Sequence, residues 1–134
     1  MVMDMHFEKM GYKRISKSKV ESLDDTIEKG IDGVYFRENP PPNYVIAEAK
    51  YGGAKLNTKS TPKQMTKEWI DKNIKEAVKD EQLVDKIIND KNYTSVLVHI
   101  PPASSRSRTS FSELKVDGTK KKFYNIEDKL KGDH

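Results

Sequence analysis

The chain has 134 residues, of which 34% are hydrophobic and 34% charged, enough for a single domain over residues 1–134 with a modest core and too little for two. It contains no cysteine, which excludes a disulfide framework, a thiolate zinc site and a cysteine nucleophile. Its 25 Lys and Arg against 21 Asp and Glu give a net charge of +4, a mild positive balance that suits a polyanionic partner, although many soluble domains carry as much.

No apolar run approaches the ~20 residues of a membrane span. The opening Met1 to His6 lacks the basic-then-apolar order of a signal peptide, so export would depend on sequence outside this stretch. Residues 5–28 read as helical material broken at Gly11, with Phe7, Met10, Val20, Leu23 and Ile27 as a partial apolar stripe and Ser22 or Asp24 as a cap. Ile31 to Phe36 is β-branched and aromatic enough for a strand. The run Asn39 to Asn43, with three prolines, reads as a rigid hairpin loop. Tyr44 to Tyr51 is the strongest strand in the chain.

Beyond Gly52 and Gly53, a polar loop leads to Thr61 and Pro62, which predict a helix start. Helical spacing then runs through Met65, Trp69, Ile70, Ile74, Ala77 and Val78, and on through Leu83, Val84, Ile87 and Ile88 to about Asp90. Asp80 and Glu81 divide it into two helices. Thr94 to Ile100 is a buried-type strand, and Ala103 to Thr109 a loop carrying Arg106 and Arg108 among serines. Asp117-Gly118, between Phe111–Val116 and Lys121–Ile126, is a hairpin signal, and this hairpin is expected to project and to offer its edge to a partner. The order predicts a mixed α/β domain: a central mixed sheet of about four or five strands flanked by helices.

Alternation along Tyr44 to Tyr51 puts Glu48 and Lys50 on one face with Tyr44 and Ile46, and Val45, Ala47 and Ala49 on the other. A carboxylate and an ammonium in so apolar a strand are costly unless paired, hydrated or bound to a metal. If the preceding strand pairs across the proline loop, Asp32 and Glu48 fall at the same end, where they would share a divalent ion with the Ala49 carbonyl. Oxygen donors favour Mg²⁺ or Mn²⁺ and also accept Zn²⁺. Such an ion would polarise a phosphate and activate water, with Lys50 orienting that water or steadying the developing charge. The Asp/Glu-x-Lys spacing also occurs at Glu113–Lys115 and Glu127–Lys129, and an ordinary cross-strand ion pair is the competing reading of Glu48 and Lys50.

The segments GIDGVY from Gly30, YVIAEAKYG from Tyr44 and QMTKEW from Gln64 together resemble the PD-(D/E)XK, restriction-endonuclease-like toxin domains of bacterial polymorphic toxins. The similarity is to the C-terminal toxins of contact-dependent growth inhibition proteins in particular. It covers roughly residues 30–69, with its parts in the family's order. The resemblance implies a restriction-endonuclease-like core and a metal-dependent endonuclease, a DNase more often than a tRNA- or RNA-cleaving enzyme. It also implies a cognate immunity protein, and delivery into a target-cell cytoplasm as the tail of a large secreted or surface protein, without membrane insertion by this domain. Asp32 and Glu48 would be metal ligands and Lys50 the catalytic lysine. An acidic residue of the first helix would join them, for which Glu8 is the candidate and Glu21 the reserve. Gln64 would contact substrate or metal-bound water. Lys67, Arg106 and Arg108 are expected to contact substrate phosphates. Trp69 reads as core, and His99 as a satisfied core histidine. A non-catalytic basic nucleic-acid-binding domain is the alternative from another class.

Overall fold

The computed structural model describes residues 2–16, 31–38, 42–52, 63–89, 93–102, 108–121 and 130. Their elements are α1 (Val2–Lys9), β1 (Lys13–Arg14), β2 (Gly33–Phe36), β3 (Tyr44–Tyr51), α2 (Lys67–Ala77), α3 (Glu81–Asn89), β4 (Tyr93–Ile100) and β5 (Ser110–Glu113). They form one five-stranded sheet in the order β1-β2-β3-β4-β5, a mixed α/β arrangement of the expected class. The β2–β3 pair is an antiparallel hairpin, while β3 and β4 run parallel. Parallel neighbours require a crossover, and α2 with α3 supplies it.

Helices cover both faces of the sheet, because the strand at its centre is apolar on both sides. On one face Met3 and Phe7 of α1 pack with Tyr35, Val45, Ala47, Ala49, Val96 and Val98. On the other, Trp69, Ile70 and Ile74 of α2 and Val84 and Ile87 of α3 pack with Val34, Tyr44, Ile46 and Leu97. Trp69 is therefore core, as expected. Gly33 marks the tightest approach on the α1 face: a Cβ there would lie 2.8 Å from the Tyr35 ring and 3.0 Å from Met3 Cε.

Three local features differ from the sequence reading. The first helix stops before Gly11, at the expected break and with a φ of +90° that suits glycine, but the chain then turns into β1, an edge strand paired with Tyr35 and Phe36, where helix was expected. Helix α2 begins at Lys67 rather than at Thr61 and Pro62, with Thr66 as its N-cap accepting from the Trp69 N–H. The 117–118 hairpin does not project. It folds back onto the start of α2, where the Lys67 N–H donates to the Val116 carbonyl at 2.8 Å. Leu114 pairs with Lys120 across the turn. The expected helix over 17–28, most of the Asn39–Asn43 loop, Thr61–Pro62, Arg106 and the strand over 122–126 lie outside the described residues. No helix among the described residues is long and apolar enough to cross a membrane.

Candidate active site

The carboxyl end of β3 gathers the chemistry. Glu48 lies on the α2 side of the strand and is only 2% exposed. Its neighbour in β4 is Leu97, which offers it no hydrogen bond, so its partner must come from elsewhere. Gln64 supplies one: its Nε2 donates to Glu48 Oε2 from the turn that precedes α2. That turn is unusual. Met65 has a φ of +66° and is fully buried, a left-handed conformation that costs a non-glycine residue ~1–2 kcal/mol. Burial of the Met65 side chain against the Ile46–Trp69 core offsets that cost, and aims Gln64 back at the sheet.

Asp32 precedes β2. The last rung of the hairpin, Gly33 opposite Ala47, brings it level with Glu48. Its carboxylate accepts the Ala49 N–H at 2.8 Å, which anchors it beside the peptide that follows Glu48. Within a strand the N–H and C=O of one residue face the same neighbour. The Ala49 carbonyl therefore opens towards the side from which Asp32 approaches, past the last rung of the ladder. Lys50 is half-buried on the Glu48 face and makes no ion pair among the described residues. In the parallel ladder it stands beside His99. The His99 Nε2 donates to the Gly52 carbonyl at 2.5 Å, and the Gly52 N–H donates to the Ile100 carbonyl at 3.0 Å. His99 is thus a satisfied histidine that clamps the strand end just beyond Lys50.

The sequence reading missed a second cluster on the α1 face of this end. Arg14 donates to the Asp32 carbonyl at 2.7 Å and to Asp4 Oδ1 at 2.8 Å. The Tyr35 hydroxyl also donates to Asp4 Oδ1. Burial pushes the Tyr35 hydroxyl far above the ordinary phenol range, and the Asp4 bond adds to the rise. Tyr51, 52% exposed at the end of β3, is raised as well, mainly by burial of its hydroxyl and then by Asp32 and Asp4. Asp4 is thus the α1 carboxylate joined to Asp32, through Arg14. Glu8 is not: α1 packs on the face opposite Glu48, and Glu8 is exposed. No sequence pattern marks Asp4, because its link runs through a two-residue strand that carries no periodicity of its own.

Of the remaining candidates, Lys67 is exposed and its ammonium meets Asp71 at 2.7 Å, which raises its pKa. Arg108 is exposed two residues before Ser110, which pairs with His99, so it lies at the same end of the sheet as Lys50. Among the described residues no cluster of three or more His, Asp or Glu side chains is placed to hold a metal ion. The oxygen donors at this end include the carboxylates of Asp32 and Glu48 and the Ala49 carbonyl. Compared with known proteins, the chain matches no family model, no curated protein and no solved structure.

Proposed function

We propose that the protein is a metal-dependent endonuclease of the PD-(D/E)XK kind, with a restriction-endonuclease-like core, that hydrolyses phosphodiester bonds in DNA. The observation that carries this reading is Glu48: a buried carboxylate in the central strand, held by a carboxamide, with Asp32 bonded to the next peptide and Lys50 two residues on. The competing reading joins Glu48 to Lys50 in a structural ion pair, and Lys50 makes no ion pair among the described residues.

Two carboxylates and a carbonyl make a donor set that suits a hard cation retaining some of its water, as Mg²⁺ does when it also takes substrate oxygens. When bound, such an ion supplies Lewis-acid polarisation of the phosphate and a more acidic water. The chain's own groups do the rest. Asp32 and Glu48 would hold the ion at the strand end. Gln64 donates to one Glu48 oxygen and so helps to fix the orientation of the carboxylate. Lys50, on the same face, sets its ammonium where negative charge grows on the phosphate as the bond to the leaving oxygen breaks. Arg108 offers a phosphate contact at the same end, which positions the backbone without reading bases.

Cutting of tRNA or other RNA would use the same groups, since the phosphate is common to both substrates. Plasmid DNA and total tRNA, each incubated with Mg²⁺, Mn²⁺ or Zn²⁺, decide between them. Glu48→Gln should slow cleavage at least about a hundredfold and leave nucleic-acid binding in place. A wild type that cuts neither substrate, with nucleic-acid binding unchanged in Glu48→Gln, would support a non-catalytic binding domain instead. As a toxin of contact-dependent growth inhibition, secreted or delivered at the cell surface as the C-terminal part of a larger protein, the chain should arrest growth when expressed, through Glu48. A cognate immunity protein should restore growth.

A further inference from the structure

The hairpin over residues 113–121 lies far in sequence from Asp32, Glu48 and Lys50, yet its tip supports the residue that holds Glu48. Gly118, at a φ of +84°, lies so close to the Gln64 backbone that an added Cβ would come within 3.1 Å of the Gln64 carbonyl and 3.4 Å of Thr66 Cγ2. Val116 accepts the Lys67 N–H. The turn itself is tied: the Gly118 N–H donates to Lys115, the Lys115 N–H to Thr119, and Asp117 accepts both the N–H and the hydroxyl of Thr119. Those Thr119 bonds hold the Asp117 carboxyl below the usual range. On its other flank, the Gln64 turn is fixed by buried Met65 and by the Thr66 cap. Gln64 is therefore gripped between the core and the hairpin tip, with its carboxamide on Glu48.

We propose that Gln64 is a positioning residue for Glu48 and that the 113–121 hairpin sets its place, so that the hairpin tip governs how well the site takes up a divalent ion. This rests on the reading of Glu48 as a metal ligand. A buried carboxylate with one oxygen fixed by a carboxamide has a single orientation for the other oxygen. Release of the carboxamide removes that constraint on the carboxylate, and a less well aligned ligand binds the ion less well, as loss of an outer partner does at other metal centres. A glycine suits the tip twice, for its left-handed backbone and for the contact with the Gln64 carbonyl.

The test is an Mg²⁺ titration of DNA cleavage by Gly118→Asn, Gln64→Ala and the double variant. Asparagine tolerates the left-handed backbone, so Gly118→Asn keeps the turn while its Cβ presses on Gln64. Each single change should raise the Mg²⁺ concentration for half-maximal rate about tenfold and leave the KM for DNA unchanged. Because both act through one carboxamide, the double variant should be no worse than Gln64→Ala alone. Additive losses, or a folded Gly118→Asn with the wild-type titration, would overturn the proposal. A second readout needs no activity: the side-chain amide NMR signal of Gln64 should be shifted and protected from exchange in the wild type, and move in Gly118→Asn. An amide with the signal of a free carboxamide overturns the proposal. A held amide that moves in the variant, in a protein that cuts neither DNA nor RNA, supports the positioning and ends the nuclease reading.

Discussion

A carboxylate at 2% exposure in a central strand carries a desolvation cost of several kcal/mol unless its oxygens find partners. Glu48 meets that cost with Gln64, and Asp32 meets a smaller one with the Ala49 N–H. Asp32→Asn keeps the shape and much of the hydrogen bonding but removes a charge, so it should lower cleavage by about a hundredfold with little change in melting temperature. A variant that loses stability in step with activity would mark Asp32 as a structural residue. The tyrosines give a separate residue-scale prediction. Burial pushes Tyr12 from 10.0 up to about 12, partly offset by Arg37, whose guanidinium stacks at 4.1 Å over the ring, and Tyr35 is raised further. The unfolded phenols release their protons first as pH climbs past 10. Stability is therefore whole below pH 10 and falls between about 10 and 12. Urea midpoints at pH 9 and pH 11.5 should show that fall, and Tyr12→Phe should flatten it; a midpoint independent of pH would contradict the assignment.

At the scale of elements, β2 and β3 meet the α1 layer through Gly33, where Tyr35 and Met3 leave no room for a Cβ. Gly33→Ala should destabilise by about 1–3 kcal/mol, the usual result of overpacking a tight core, and a urea midpoint equal to wild type would refute the close approach. The strands were legible in the sequence because burial of both faces leaves a strong pattern: Tyr44 to Tyr51 and Tyr93 to Ile100 fall where alternation and β-branching place them. The division between α2 and α3 was legible too, at Asp80, whose carboxylate accepts the Leu83 N–H. The start of α2 was not. Thr61 and Pro62 make a good local signal, but the observed cap at Thr66 depends on Met65 in a left-handed turn and on the hairpin packed against it, and neither is local. The same cause hid the role of the 117–118 turn, which reads as a projecting hairpin until its contact with Gln64 is known. Asp4 was hidden because Arg14 joins it to Asp32 only after β1 has found the sheet edge. Asp32, Glu48 and Lys50 were visible as charges in apolar strands, a conflict that the sequence states openly.

For the whole molecule, the net charge of +4 gives a modest long-range attraction to polyanions, and local contacts at the site end must supply the rest. Binding to DNA by the Glu48→Gln protein should weaken linearly on a log–log plot against salt, by ~0.9 per phosphate neutralised. Arg108→Ala should reduce that slope by about 1 without altering kcat, and an unchanged slope would remove Arg108 from the substrate path. In the proposed site, Asp32 and Glu48 bring one divalent ion to the end of the central strand. Calorimetric titration of Mn²⁺ into the wild type and into the Asp32→Asn/Glu48→Gln double variant measures this binding. One ion per chain should bind to the wild type and none to the double variant, with both proteins folded; equal binding by the two, or no binding by either, would rule the shared site out.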